Sequence, residues 1–211
     1  MKSLIILGAG GHGKVVAETA LATKKYQKIS FLDDKFSKDN FSKDFLEINI
    51  IGDLSFSEEL KKKDSFTHAI VAIGNSKIRL QWINKLKELN YIIPSILHPT
   101  AWISPSSNIH EGTVVFAQAA IQSNAIIGKG SIINTSSSVD HDCIIHEGVH
   151  ICPGARLAGD VQVGEKSIIG IGSSINEGII IGKNVIVGAG AAVISNLDDN
   201  VIAKGVPAKL K

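Results

Sequence analysis

Cysteine, long apolar runs and charge of one sign are all scarce in this chain of 211 residues. Its two cysteines, Cys143 and Cys152, are too few for a disulfide framework and read as reduced thiols, which fits a cytoplasmic protein. No apolar run reaches the ~18 residues that a membrane span needs. The N-terminal stretch Leu4–Leu7 is too short for a signal peptide, so a soluble, cytoplasmic protein is expected. Lysine and arginine number 22 against 20 aspartates and glutamates, a net charge of +2. That balance, with no basic stripe interleaved with aromatics, argues against a nucleic-acid partner. A hydrophobic fraction of 44% and a charged fraction of 20% describe a soluble globular chain of one or two domains.

What the second half does contain is a period. An aliphatic residue returns at every sixth position from Ile103, Ile109, Val115 and Ile121 onward to Val187 and Val193, without a slip. Helices repeat every 3.6 residues and strands every 2, so neither accounts for it. A six-residue repeat fits a parallel β-helix in which each hexapeptide forms one flat side of a coil. The position four further on is small or modest in volume, as at Ser107, Thr113, Ala119, Ala125, Ser131, Ser137, Cys143, Val149 and Ala155. One large and one small inward residue per side would fill a narrow triangular interior at native density. The run predicts roughly five coils. Beyond Val193 the phase dissolves, and the tail Val201–Lys209 closes the chain.

The first half reads differently. Ser3–Leu7 predicts a strand, Gly8-Ala9-Gly10-Gly11-His12-Gly13 a glycine loop, and Lys14–Ala22 a helix with Val15, Val16, Thr19 and Ala20 on one face. This is the opening of a Rossmann-type unit, whose loop backbone approaches phosphates and whose helix N-terminus attracts negative charge. A second strand, Ile29–Leu32, ends in Asp33-Asp34, where such folds bind a ribose hydroxyl. A polar stretch from Lys35 to Lys63 follows, with a short helix near Ser57–Lys62. Then come a strand His68–Ile73 ending at Gly74-Asn75, a helix Ser76–Asn90 and a last strand Tyr91–Ile96. A six-stranded dinucleotide domain needs ~130 residues or more. This half-sized unit has room for about four strands, which points to a mononucleotide ligand rather than NAD. The expected division is residues 1–97 and 98–211.

Against a background of Gly, Ser, Ile and Val, the reactive side chains stand out: Asn134, Asp140, His141, Asp142, His146 and His150. Asp140-His141-Asp142 places carboxylates on both sides of an imidazole, which raises its basicity and fixes its tautomer, as a general base near neutral pH requires. His146 and His150 lie four apart, but a coil of this kind does not turn both to one face, so no metal is expected. Cys143 occupies a small inward slot, which removes it as an acyl carrier.

Five stretches in this order now carry a resemblance across essentially the whole chain. They are Gly8-Ala9-Gly10-Gly11-His12-Gly13-Lys14, Phe31-Leu32-Asp33-Asp34, Ala72-Ile73-Gly74-Asn75, Ser138-Val139-Asp140-His141-Asp142-Cys143 and Gly205-Val206-Pro207-Ala208-Lys209. The sequence resembles the left-handed β-helix acyltransferases with an N-terminal nucleotide-binding domain. These include the sialic acid O-acetyltransferase family and the bacterial nucleotide-sugar N-acetyltransferases of bacillosamine and perosamine biosynthesis. The resemblance implies an α/β Rossmann-like half domain followed by an all-β left-handed parallel β-helix of hexapeptide repeats. It implies a homotrimer with acetyl-CoA between adjacent β-helices. By position, His141 would be the general base, Asp142 would increase its basicity, and Asn134 would help place the acceptor. Acetyl-CoA contacts fall on His150, Ile171, Gly188 and Ala189. Nucleotide-sugar contacts fall on Gly10, Gly11, His12, Asp33, Asp34 and Gly74. Some relatives carry Glu where Asp142 stands and Gly where Ala189 stands; a backbone contact survives the second change.

The expected reaction is N-acetylation of the 4-amino group of a nucleotide-linked 4-amino-4,6-dideoxysugar by acetyl-CoA, in cell-surface glycan biosynthesis. UDP is the first choice of nucleotide, with GDP and dTDP as the others. The enzyme alternative is O-acetylation of sialic acid or another sugar. A non-catalytic nucleotide-sugar-binding protein is the alternative from another class, and the presence of His141 argues against it. An NAD-dependent oxidoreductase rests on the glycine loop alone.

Overall fold

Three short runs of aliphatic and β-branched residues become the parallel sheet of the first half: β1 (Ser3–Leu7), β2 (Lys28–Leu32) and β3 (His68–Val71), in the order β2-β1-β3. Leu7 lies opposite Leu32 on one side and Val71 on the other, and all three are buried. The structure, a computed structural model, describes residues 2–35, 46–63 and 65–211. The chain divides into two compact units, residues 1–96 and 97–211. The middle of the polar stretch from Lys35 to Lys63 lies outside the described residues.

Helix α1 spans Gly11–Ala22, so it starts three residues before the expected Lys14. Gly10, in extended conformation, is its N-cap, and the glycines that signal a loop fill its first turn instead. Gly13 is there for closeness, since a Cβ on it would stand 2.9 Å from the carbonyl carbon of Gly8. Val16, Thr19 and Ala20 are buried as expected, joined by Ala17, but Val15 turns to solvent. Helices α2 (Ser57–Lys62) and α3 (Ser76–Glu88) follow, and Asn75 caps α3 by accepting the Ile78 N–H at 3.0 Å. The expected strand Tyr91–Ile96 does not form. To this sheet only Ile92 of that run bridges, at His68, just as Ile50 bridges to Phe31 at the opposite edge, and Ile96 belongs instead to a two-residue strand with Leu97. Pro94 has no N–H to offer a ladder, which stops the pairing there. The sheet therefore has three strands rather than four.

In the second unit each hexapeptide supplies a two-residue strand that pairs in parallel with the one eighteen residues away, as Val139 does with Ile121 and Leu157. Three sheets of eight, six and five strands enclose the interior of a left-handed β-helix of about six turns. The estimate of five was short at both ends. Leu97 already packs on the core one side before Ile103, and Leu197 and Ala203 extend it past Val193. Inward aliphatics such as Ile133, Val139 and Ile145 are at most 1% exposed, and the small slots Ala125, Cys143 and Ala155 are fully buried.

The sides meet at corners with one backbone requirement. Every sixth residue from Gly112 to Gly190 has a positive φ, between +54° and +70°. Glycine fills half of these positions, and Asn124, Asp142, Asp160 and Asn184 are among the others. Short side chains that bond locally tolerate this region best after glycine.

Beyond Val193 the phase slips instead of dissolving. Leu197 bridges Ile181 and Ala203 pairs with Val187, sixteen residues on rather than eighteen. Side chains replace the missing backbone: Asn196 Oδ1 accepts the Ile180 N–H at 2.9 Å and Asp199 Oδ1 that of Lys183 at 2.7 Å. Ile202–Lys204 then rejoins the helix and Lys209–Leu210 folds back on it antiparallel.

Candidate active site

Val139 points inward, so the next three residues are delivered to a corner, and these are Asp140, His141 and Asp142. Asp142 Oδ2 lies 2.9 Å from His141 Nδ1. A carboxylate can only accept, so the proton of the neutral imidazole sits on Nδ1 and the lone pair on Nε2. Asp140 Oδ1 accepts the His141 N–H at 2.7 Å and fixes the backbone. Asp142 holds the imidazole pKa above its ordinary value, with smaller contributions from Asp140 and Glu177 opposing a desolvation effect. Conversely, the hydrogen bonds from His141 and Asn124 hold the Asp142 carboxyl below its own. The side chains of His141 and Asp142 are 54% and 52% exposed, so a substrate can reach them.

Two neighbours of this pair escaped the sequence reading. Gly159, one coil further on, lies beneath the imidazole; a Cβ there would stand 2.6 Å from His141 Nε2. Asn124, one coil earlier, donates from Nδ2 to Asp142 Oδ1 at 3.1 Å. The signal for both was present, since each is eighteen residues from the residue it touches.

Asn134 and His150 form a second pair, with Nδ2 and Nε2 3.0 Å apart. An amide nitrogen donates, so Nε2 of His150 accepts. Asn134 Oδ1 accepts the Thr135 N–H at 2.8 Å, which sets the orientation of the amide. Pro153, Ile171 and Ala189 stack at another corner, where Gly172 N–H donates to Pro153 O and Gly190 N–H to Ile171 O. Ile171 is 60% exposed. Gly170 and Gly188 leave this corner as nearly bare backbone: a Cβ on Gly170 would stand 2.7 Å from the carbonyl carbon of Gly188. Among the described residues, the N–H groups of Ile171 and Ala189 donate to no carbonyl. Such a ledge, with bare backbone and N–H groups that donate to no carbonyl, has the chemistry to receive a ligand arm made of amides.

In the first unit, Asp33 accepts the Ala9 N–H through Oδ2 at 2.8 Å and the Lys35 N–H through Oδ1 at 2.9 Å. Asp34 Oδ1 accepts the Leu54 N–H at 3.1 Å. The acidic pair therefore shapes the glycine loop and the segment beside it as well as facing any ligand. Gly8, Asp33, Asp34, Lys35 and Ile73 line a cleft of about 290 Å³ whose apolar wall is Leu54, Ile78 and Trp82. Ile78 and Trp82 are four apart on α3, which puts them on one face; that spacing was the missed signal. Gly10 and Gly11 stand at the exposed start of α1, with His12 half-buried in its first turn. Gly74 accepts from the buried Arg79 guanidinium through its carbonyl at 2.8 Å, as does Ile73. Burial lowers that guanidinium to about 10.

Cys143 Sγ lies 3.2 Å from Ala158 O, and burial pushes the thiol up to about 11, so it is no nucleophile at neutral pH. Among the described residues no group of three or more His, Cys, Asp or Glu is placed to hold a metal ion. No helix among them is long and apolar enough to cross a membrane.

Known proteins resemble this chain in sequence and in fold. Residues 3–86 match the family model of the PglD N-terminal domain. The chain is 39% identical over 117 residues to the UDP-N-acetylbacillosamine N-acetyltransferase of Bacillus subtilis (strain 168), covering 56% of this chain and 52% of that protein. The chain thus spans about half the length of that curated relative. The acetyltransferase domain of PglB from Neisseria gonorrhoeae FA1090 superposes with a TM-score of 0.94 at 38% identity over 100% of both chains, and was also solved with acetyl coenzyme A. PerB from Caulobacter crescentus, solved with CoA and GDP-perosamine, gives a TM-score of 0.92 at 35% identity over 100% of this chain and 98% of that one.

Proposed function

Because this chain belongs to the hexapeptide-repeat sugar acetyltransferases that carry a PglD-type N-terminal domain, we propose that it transfers acetyl from acetyl-CoA to the amino group of a nucleotide-linked sugar. The acceptor in this reading is the 4-amino group of a UDP-linked 4-amino-4,6-dideoxysugar, and the product serves cell-surface glycan biosynthesis in the cytoplasm. The observation that carries it is the His141–Asp142 pair over Gly159, which leaves Nε2 of an exposed imidazole with its lone pair. The relatives named for a UDP sugar and crystallised with a GDP sugar and CoA support the substrate class.

The residues divide the work. An amine attacks a thioester only as its free base, so a proton must leave as the carbon–nitrogen bond forms. His141 Nε2 takes that proton, and Asp142 stabilises the imidazolium that results. The carbon–sulfur bond then breaks, and His141 returns the proton to the departing thiolate. General-base help of this kind contributes on the order of 10²–10⁴-fold, and holding amine and thioester together contributes separately. Asn134 and His150 act as a fixed polar pair, with Asn134 toward the acceptor and His150 toward acetyl-CoA. The Ile171 and Ala189 N–H groups and the bare backbone at Gly188 receive the amide arm of acetyl-CoA. In the first unit, residues 1–97 by the sequence division, Gly10, Gly11 and His12 at the start of α1 receive the diphosphate. Asp33, Asp34 and Gly74 frame the nucleoside. The assembly in this reading is a homotrimer. Its support is the exposed isoleucines on two faces of the coil, Ile126 and Ile180 on one and Ile168 and Ile186 on another, and a sedimentation mass of three chains is the expected result.

The test is thiol release from acetyl-CoA with a panel of UDP-, GDP- and dTDP-linked 4-amino sugars and sialic acid, on wild type and His141→Ala. The expected result is turnover with the UDP-linked sugar that drops on the order of 10²–10⁴-fold in the variant. Transfer to sialic acid alone, or full turnover by His141→Ala, would overturn the reading.

A further inference from the structure

Taking His141 as the base of the reaction just described, we propose that Asn124 is a positioning residue that holds Asp142, and through it His141, from the coil before. The geometry is a relay across the corner. Asn124 Nδ2 donates to Asp142 Oδ1 at 3.1 Å while Asp142 Oδ2 accepts His141 Nδ1 at 2.9 Å. Both oxygens of one carboxylate are thereby held, which fixes its plane, and the plane decides where the imidazole points. Asn124 is itself anchored, since its N–H donates to Ser106 Oγ at 3.1 Å. The column Ser106, Asn124, Asp142 climbs one coil per step.

The residue type fits the task. Asn124 and Asp142 both have φ of 59°, a conformation that asparagine and aspartate accept better than other side chains with a Cβ. A carboxamide donates without carrying charge, so the negative charge of Asp142 stays available to the imidazole. A lysine at that position, as at Lys166, would neutralise it instead. The charges facing His141 are Asp140, Asp142 and Glu177, with Asp160 one coil on. None of these others holds Asp142 in place.

Corner ladders also occur where no base follows. Ser136 Oγ donates to Gln118 Oε1 at 3.0 Å and Asn184 Nδ2 to Asn200 Oδ1 at 3.1 Å. A contact that only ties coils together would therefore look similar, and a double-mutant cycle separates the two roles. Asn124→Gly removes the donor and accepts the same φ without strain. It is compared with Asp142→Asn and with the double variant, by steady-state kinetics and by NMR titration of the His141 ring. We expect Asn124→Gly to lower kcat about 3- to 10-fold, with both KM values within about twofold, and to move the His141 pKa down. The double variant should be no slower than Asp142→Asn alone. Effects on kcat that multiply in the double variant, or a ring titration unchanged by Asn124→Gly, would reduce Asn124 to a coil tie. If wild type acetylates no nucleotide-linked amino sugar, the functional reading falls, and the ring titration still decides the role of Asn124.

Discussion

A hydrogen bond of 2.9 Å determines the pH at which His141 can accept a proton. The group must be neutral to act as base, and Asp142, then Asp140 and Glu177, hold its pKa above the ordinary value of 6.5. Activity should therefore fall with acid along a limb lying above 6.5. Asp142→Asn should bring that limb down toward 6.5 while lowering kcat, which pH–rate profiles of the two proteins would show. Gly159→Ala tests the floor of the site: the added methyl needs the space of the ring, so kcat should drop more than about tenfold. The melting temperature should move by no more than about 3 °C, because an exposed ring yields before the coil does. The Asp-His-Asp run was legible as a candidate site because charge is rare in this repeat. Asn124 and Gly159 were not, since a residue's neighbours along the axis are eighteen positions away in the chain. Once the coil is known, counting eighteen from Asp142 and His141 lands on both.

At the level of elements, the six-residue period carried the architecture because each inward aliphatic has one interior to fill. Ile145→Ala should cost roughly 2–5 kcal/mol in urea unfolding, since Ile145 is 1% exposed within the central coils. Ile144→Ala, at the outward position beside it, should cost less than about 1 kcal/mol. What the period could not show lay at its ends and in the first unit. A coil short by two residues breaks the count yet keeps the fold, because Asn196 and Asp199 supply acceptors from side chains. The glycines at the head of α1 read as a loop because helix propensity disfavours them. At Gly13 the absent side chain is what lets the helix pack against Gly8. Tyr91–Ile96 has strand composition, but Pro94 removes the N–H that a ladder would use.

Over the whole molecule, each unit has its own buried cluster, one around Ile5, Val71 and Ile83, the other along the β-helix. If each unit binds one substrate, their affinities should separate cleanly. Trp82→Ala should raise KM for the nucleotide sugar about tenfold and leave that for acetyl-CoA within about twofold. Ile171→Glu, which sets a negative charge on the ledge at Gly170-Ile171-Gly172, should do the reverse. Two-substrate kinetics would check both, and equal changes in both KM values would contradict the partition.

The eighteen-residue coil also governs how such a chain can change by insertion and deletion. Asn134 and Gly188 are three coils apart, about 14 Å along the axis at ~4.8 Å per strand spacing. Losing one residue between them would turn every later aliphatic out of the interior, so most frame-preserving indels are lethal to the fold. Gaining or losing eighteen at once keeps every contact and lengthens or shortens the reach by one step. Descendants of this chain can therefore alter the distance between Asn134 and Gly188 only in whole-coil quanta, or at a patched seam like the one that Asn196 and Asp199 already close.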